Sequence, residues 1–191
     1  MVGVGDSFEN PVTRERFEWR ATTASTAGQY CEFDLHLGPG AKLAAAHRHP
    51  NQVESFSLLS GTLDMRLAGQ HRTVVAGEEV VVPGGTAHSW GNVSDDSAHV
   101  LVRLTPSIKI DEYFEAFCRI ASSGGANKAG LPKNPLQLAV LLDRHRDEFQ
   151  LPSPFAQALA GPAVQVLAVL GRAAGFRPDG TRAGSAASRS D

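Results

Sequence analysis

The strongest constraint on this 191-residue chain is the run from Gly40 to Asn92, where glycines and prolines punctuate a set of four side chains: His47, His49, Glu54 and His88. Side chains alternate faces along an extended strand, so His47 and His49, two apart, project to one side as a chelating pair. Glu54 lies five residues beyond His49, the wrong parity for an unbroken strand. Pro50, Asn51 and Gln52 supply a turn that resets the phase and returns the carboxylate to the imidazoles. Pro83, Gly84 and Gly85 form a tight turn at the mouth of a further strand, from which His88 can be delivered across a barrel. Three neutral imidazoles and one carboxylate make a nitrogen and oxygen site for one divalent transition metal. The other histidines, His36, His71, His99 and His145, sit in no comparable pattern.

The surrounding chain reads as short strands. Alternation over residues 16–22 and 30–37 puts Cys31, Phe33, Leu35 and Leu37 on one face and Glu32, Asp34 and His36 on the other. Residues 53–59 lead into Gly61, the chain returns through Leu63, Met65 and Leu67, and Gly69 and Gln70 link to residues 71–75. Val80 and Val82 precede the proline turn, and a last strand over 98–105 alternates Val100, Val102 and Leu104 against His99, Leu101 and Arg103. Many short strands with glycine-marked turns and no intervening helices predict an antiparallel barrel or double-sheet jelly roll.

After Pro106 the pattern turns helical. Tyr113, Phe117 and Ile120 predict an amphipathic helix over 111–121, packed on the barrel, with acidic residues in its first turn. A glycine-rich link over 122–133 follows. Asn134 as N-cap and Pro135 at the first helical position open a second helix, with Leu138, Leu141, Leu142, His145 and Phe149 on one face. Ser153 and Pro154 open a third, which Gly161 and Pro162 are expected to kink or split. Residues 156–174 are apolar, but Gln157, Gln165, Arg172 and the glycine-proline break argue against a spanning helix. Packing on the barrel, pairing with a second copy and contact with a membrane surface remain as readings. The expected organisation is an N-terminal arm (1–14), a β-barrel (15–108), a helical extension (109–176) and a disordered tail (177–191).

If Glu54 points inward, Phe56 and Leu58 share its parity and line an apolar cavity around the metal. Met65, most simply core filling, Trp90, which shares the parity of His88, and Arg103 as an anion clamp complete the candidate cavity wall. A net charge of −2 with no basic run gives no electrostatic footprint for nucleic acid, so small-molecule partners are favoured. Cys31 and Cys118 form no CxxC pair and suit reduced thiols. Residues 1–10 have neither the basic segment nor the apolar core of a signal peptide, and a cytoplasmic protein is expected. Open barrel edges usually find cover, which makes a homodimer the expected assembly.

The same residues resemble the two signature motifs of the cupin superfamily. The first comprises Gly40, His47, His49, Glu54 and Gly61, with one extra residue between Gly40 and His47; the second comprises Gly77, Pro83, Gly85, His88 and Asn92. The 15 residues between Gly61 and Gly77 match the short intermotif hairpin of small single-barrel members, the cupin type-2 proteins. The resemblance implies a mainly β fold, a double-stranded β-helix or jelly-roll barrel, here with a C-terminal α-helical appendage. It also implies His47, His49, Glu54 and His88 as ligands of Fe(II), Mn(II) or Ni(II) in preference to Zn(II). Such a centre suits a metalloenzyme acting on a small organic substrate that chelates the metal inside the barrel, with dioxygenase-like oxidation favoured and Glu54 available as a base. Two alternatives are a non-redox isomerase, cyclase or lyase, and a non-catalytic metal- or small-molecule-binding sensory module.

Overall fold

The computed structural model describes residues 1–41 and 46–183. The longer link between Gly40 and His47 falls partly on residues 42–45, and the end of the tail on 184–191; both lie outside the described residues.

Among the described residues nine strands alternate with tight turns: β1 (Ser7–Asn10), β2 (Glu15–Ala21), β3 (Cys31–Leu37), β4 (Val53–Ser60), β5 (Thr62–Leu67), β6 (Gln70–Val75), β7 (Glu79–Val82), β8 (His88–Gly91) and β9 (Ala98–Thr105). They form a six-stranded sheet in the order β1-β2-β3-β9-β4-β7 and a three-stranded sheet in the order β6-β5-β8. Every strand pair is antiparallel. This is the double-sheet jelly roll that the alternation predicts. Phe33, Leu35, Phe56, Leu58, Val100 and Val102 of the larger sheet share one core with Leu63, Met65, Val74 and Trp90 of the smaller. The residues of opposite parity stay outside, as period-two alternation requires. The N-terminal arm differs from expectation: Ser7–Asn10 adds an edge strand to the larger sheet, paired with Glu15–Glu18 of β2. Four residues without alternation carry no periodic signal of their own.

Three helices follow among the described residues: α1 (Ile110–Ser122), α2 (Pro135–Arg144) and α3 (Pro154–Ala173). Helix α1 closes the open end of the aromatic core, with Phe114 stacked on Phe17 at 4.2 Å between ring centroids. Helix α2 starts as its sequence dictates, the Asn134 side chain accepting from the N–H groups of Leu136 and Gln137. It ends at Arg144, so His145 and Phe149 lie beyond the helix instead of on its face.

Helix α3 runs through Gly161 and Pro162 without splitting. A proline there forfeits one backbone bond, and the helix is anchored beyond it by the buried Ala168 and Gly171. Gly171 meets α2 so closely that a Cβ would lie 2.7 Å from the Leu136 carbonyl oxygen and from Val140 Cγ2. By length and composition α3 is also long and apolar enough to cross a membrane, with a mean hydropathy of 1.4 over 18 residues. Phe155, Leu159, Val166, Val169 and Leu170 are exposed along it.

Residues 177–183 depart from the expected disorder. Phe176 pairs with Arg182 in a tight return, and Gln137 donates to the Gly180 carbonyl at 3.0 Å, so the helices hold this piece of the tail. Its glycine, serine and arginine composition gave no sign of that anchorage.

Candidate metal centre

The chain brings its four proposed ligands together by backbone pairing. His47 and His88 exchange both main-chain hydrogen bonds, at 3.0 and 2.8 Å, in an antiparallel bridge, so their side chains lie next to each other with ring centroids 4.4 Å apart. His88 is fixed in turn at the start of β8, opposite Leu67 of β5. The turn after His49 is tied down where the Gly85 N–H reaches the His49 carbonyl at 2.7 Å. Beyond it Glu54 enters β4, opposite Val82 on one side and Leu104 on the other, and points inward with Phe56. Asn92 is fully buried and staples the far end: its amide nitrogen donates to the carbonyls of Gly38 and Asp96.

One potential ligand atom from each of His47, His49, Glu54 and His88 lies within 4.8 Å of the others, so the cluster can hold a single metal ion. The hydrogen bonds around it favour a cation. Carbonyl oxygens only accept, so His49 Nδ1 carries a proton that it donates to the Glu148 carbonyl at 2.7 Å. His88 Nδ1 likewise donates to the Thr86 carbonyl at 3.0 Å. Both rings therefore turn Nε2 toward Glu54 Oε2, at 3.3 Å from His49 and 2.9 Å from His88. The His49 contact lacks hydrogen-bond geometry and leaves a buried ring nitrogen unsatisfied. Bare nitrogen lone pairs facing a carboxylate repel it unless a proton or a metal ion lies between, and latched Nδ1 protons are the usual support of metal-binding histidines.

The electrostatics agree. Burial opposes ionisation of Glu54, yet His49 and His88 outweigh it and hold the carboxyl well below the usual range. Burial would likewise lower His49, but the Glu54 carboxylate raises it.

Of the residues proposed as cavity wall, Trp90 alone borders the cavity that opens from the cluster. Phe56 lies behind the site, its ring 6.4 Å from that of His88 and 5.8 Å from that of Trp90; Leu58 and Met65 are fully buried core further along the same faces. Arg103 points away from the cavity. Its neighbour Val102 takes the inward position, and the guanidinium pairs with Glu32 at 2.7 Å and lies over the Tyr30 ring at 4.3 Å. No cation from β9 reaches the cluster.

The largest contribution missing from the sequence-based picture comes from the helical extension. Arg48 and Gln150 form an antiparallel bridge, with N–H to O distances of 3.1 and 3.0 Å, which sets the Glu148 carbonyl against His49. Phe149 packs on His47 and His49 at centroid distances of 5.5 and 5.1 Å, and Tyr113 of α1 packs on Phe149 at 4.5 Å. The extension thus roofs the barrel mouth. Phe149 is recognisable in the sequence as an apolar residue, but nothing local pairs it with histidines a hundred positions earlier.

Comparison with known proteins finds likenesses to part of the chain. Residues 33–103 match the model described as "Cupin domain". No curated protein matches the chain. Similar solved structures include a predicted oxalate decarboxylase from Thermotoga maritima, 16% identical, covering 56% of this chain and 99% of that one at a TM-score of 0.48. KdgF from Halomonas sp. is 18% identical, with 51% and 83% covered and a TM-score of 0.45. A sugar phosphate isomerase of the cupin superfamily from Silicibacter pomeroyi is 24% identical, with 48% and 59% covered and a TM-score of 0.42. The segment 33–103, which carries most of the two-sheet fold and all four clustered residues, is thus similar to a cupin domain.

Proposed function

We propose that this protein is a metalloenzyme whose His47, His49, Glu54 and His88 hold one divalent transition metal, with Fe(II), Mn(II) or Ni(II) preferred to Zn(II), and that it oxidises a small organic substrate in a dioxygenase-like reaction. The observation that carries the reading is the convergence of four ligand atoms within 4.8 Å, with two imidazoles latched through Nδ1, at the floor of a cavity of about 360 Å³. A metal bound there supplies Lewis-acid polarisation of a chelating carbonyl, enol or carboxylate and, for a redox-active ion, a path for electrons to dioxygen.

The chain's own residues do the rest. His47, His49, Glu54 and His88 would hold the ion from the protein side, and three of them, His49, Glu54 and His88, are buried. Glu54 is the one carboxylate in the cluster and the group placed to take a proton from a substrate bound beside it. Trp90 and Phe149 flank the opening and limit the water that reaches the reacting atoms.

Elemental analysis of chelator-free protein tests the centre, and oxygen uptake with enolisable and catecholic substrates tests the chemistry. Roughly one equivalent of iron, manganese or nickel, lost in His47→Ala and His88→Ala, is expected. Undiminished turnover without air would replace oxidation by Lewis-acid isomerisation or lysis. A protein that takes up no metal after anaerobic loading with Fe(II) would overturn the ligand assignment.

A further inference from the structure

The cavity above the cluster is roofed by residues that lie outside the matched family segment, and their chemistry narrows what can bind. Its volume, about 360 Å³, is near the lower end of the range for small-ligand pockets, about 300–1,000 Å³. The barrel side is made of Phe33, Trp90 and Val102, and α1 adds Phe114 and Phe117. Across from them stand Leu138 and Leu142 of α2, Phe149, and Ala160 and Val164 of α3. Among the described residues, the groups at the floor that can bind a polar head are His47, His49 and Glu54, those of the metal cluster.

Tyr113 and Gln165 also line the chamber, and most of the other polar side chains among the described lining residues are engaged elsewhere. Gln150 Oε1 accepts from Arg48 at 2.5 Å, and Gln157 Oε1 accepts from the Leu151 N–H at 3.0 Å. Asp143 takes the Arg172 guanidinium, while Arg146, the one cation among them, is largely exposed and 3.7 Å from Asp143. A phosphate or polyol placed between floor and roof would find few partners for the hydration it gives up, a cost that an apolar group avoids.

Building on the metal-centre reading above, we propose that this chamber binds an organic anion with a short chelating head at the metal and a largely apolar body, aromatic or branched aliphatic, held between the barrel mouth and the α2–α3 roof. The helical extension is then the specificity element. Ligands of sugar or sugar-phosphate character are disfavoured, because the described lining is mostly apolar and Arg146 is its one guanidinium or ammonium group.

Four probes test this by titration calorimetry on the full-length, metal-loaded protein: lactate, 3-phenyllactate and gluconate, which share a 2-hydroxycarboxylate head, and 2-phenylethanol, which lacks it. Phenyllactate is expected to bind at least about tenfold more tightly than lactate, with gluconate no tighter than lactate. Ala160→Trp, which fills the chamber from the roof, should bring phenyllactate down to the affinity of lactate while leaving metal content unchanged.

Removing the metal separates the two ideas. If phenyllactate and 2-phenylethanol bind equally well to metal-free and metal-loaded protein, the apolar chamber stands and the chelation reading fails. Equal affinity for phenyllactate and lactate, tighter binding of gluconate, or no binding of any probe overturns the proposal. Should Ala160→Trp fail to fold, the ranking of the four probes on the unmodified protein still decides.

Discussion

His49 of the barrel donates its Nδ1 proton to the main-chain carbonyl of Glu148, 2.7 Å away and 99 residues later. The orientation of a proposed metal ligand therefore depends on the segment that joins α2 to α3. That segment is held to the barrel by the Arg48–Gln150 bridge, and loosening the bridge should weaken the metal without touching a ligand. Gln150→Pro removes the N–H that reaches the Arg48 carbonyl at 3.0 Å. Metal affinity, measured by competition with a chromophoric chelator, should fall about 10- to 100-fold, as for other losses of support behind a ligating histidine.

Metal binding should also stabilise the fold by mass action. At a free metal concentration about a hundred times the dissociation constant, the gain is about 2.7 kcal/mol. For a chain of this size that corresponds to a rise of roughly 5–10 °C in Tm. Calorimetric scans with and without added metal should show it for the unmodified protein and should show no shift for His88→Ala.

Gly61 turns the chain between β4 and β5 at φ +79°, and a Cβ there would lie 2.6 Å from the Ser97 carbonyl oxygen and 2.8 Å from Ala98 Cα. Both neighbours are backbone and have little freedom to retreat. Gly61→Ala should cost about 2 kcal/mol or more through left-handed strain and collision together. Urea titration should find the midpoint lowered with the slope unchanged.

Glu15 is buried beside Thr13, and burial pushes its carboxyl up from 4.5 to about 7, the Thr13 hydroxyl offsetting only part of the effect. Between those values the folded protein holds a proton that the unfolded chain releases. The associated stability is complete below pH 4.5 and lost as the pH rises through 7. His145 works in the opposite direction: burial lowers it from 6.5 to about 3, so its contribution is lost as the pH falls. Comparing the unmodified protein with Glu15→Gln cancels the histidine. The difference in unfolding free energy should shift by about 3 kcal/mol against the unmodified protein from pH 4.5 to 8.

Arg103 provides the opposite kind of test. Its partners are Glu32 and the Tyr30 ring on the outer face of the larger sheet. Arg103→Ala should leave metal content and the probe affinities unchanged and cost no more than about 1 kcal/mol in stability. An anion affinity lowered tenfold would instead place the guanidinium in the chamber.

The barrel and its ligand cluster were legible in the sequence because both are written in short-range terms. Period-two alternation marks the strands, positive-φ glycines mark their turns, and the spacing of His47, His49, Glu54 and His88 needs only a strand, a turn and a cross-strand neighbour. Arg103 shows where that reasoning stops: alternation puts it opposite in face to Val102, but which face is inward depends on the neighbouring strands. Phe56, Leu58 and Met65 share a side with the ligands yet lie deeper, because depth along a barrel is not encoded in parity. The roof was illegible for a different reason. Phe149 and Glu148 reach the site through a bridge between Arg48 and Gln150, and no local pattern announces a pairing of that separation.

That bridge also sets an order of events during synthesis. The barrel strands are complete once Thr105 has emerged from the ribosome, but the proton on His49 gains its fixed acceptor only after Gln150 has followed. A nascent chain stalled between these points would present all four ligand residues with one imidazole still able to turn. The fixed orientation of His49 thus waits on the arrival of the roof, so that the cluster and its cover are completed together.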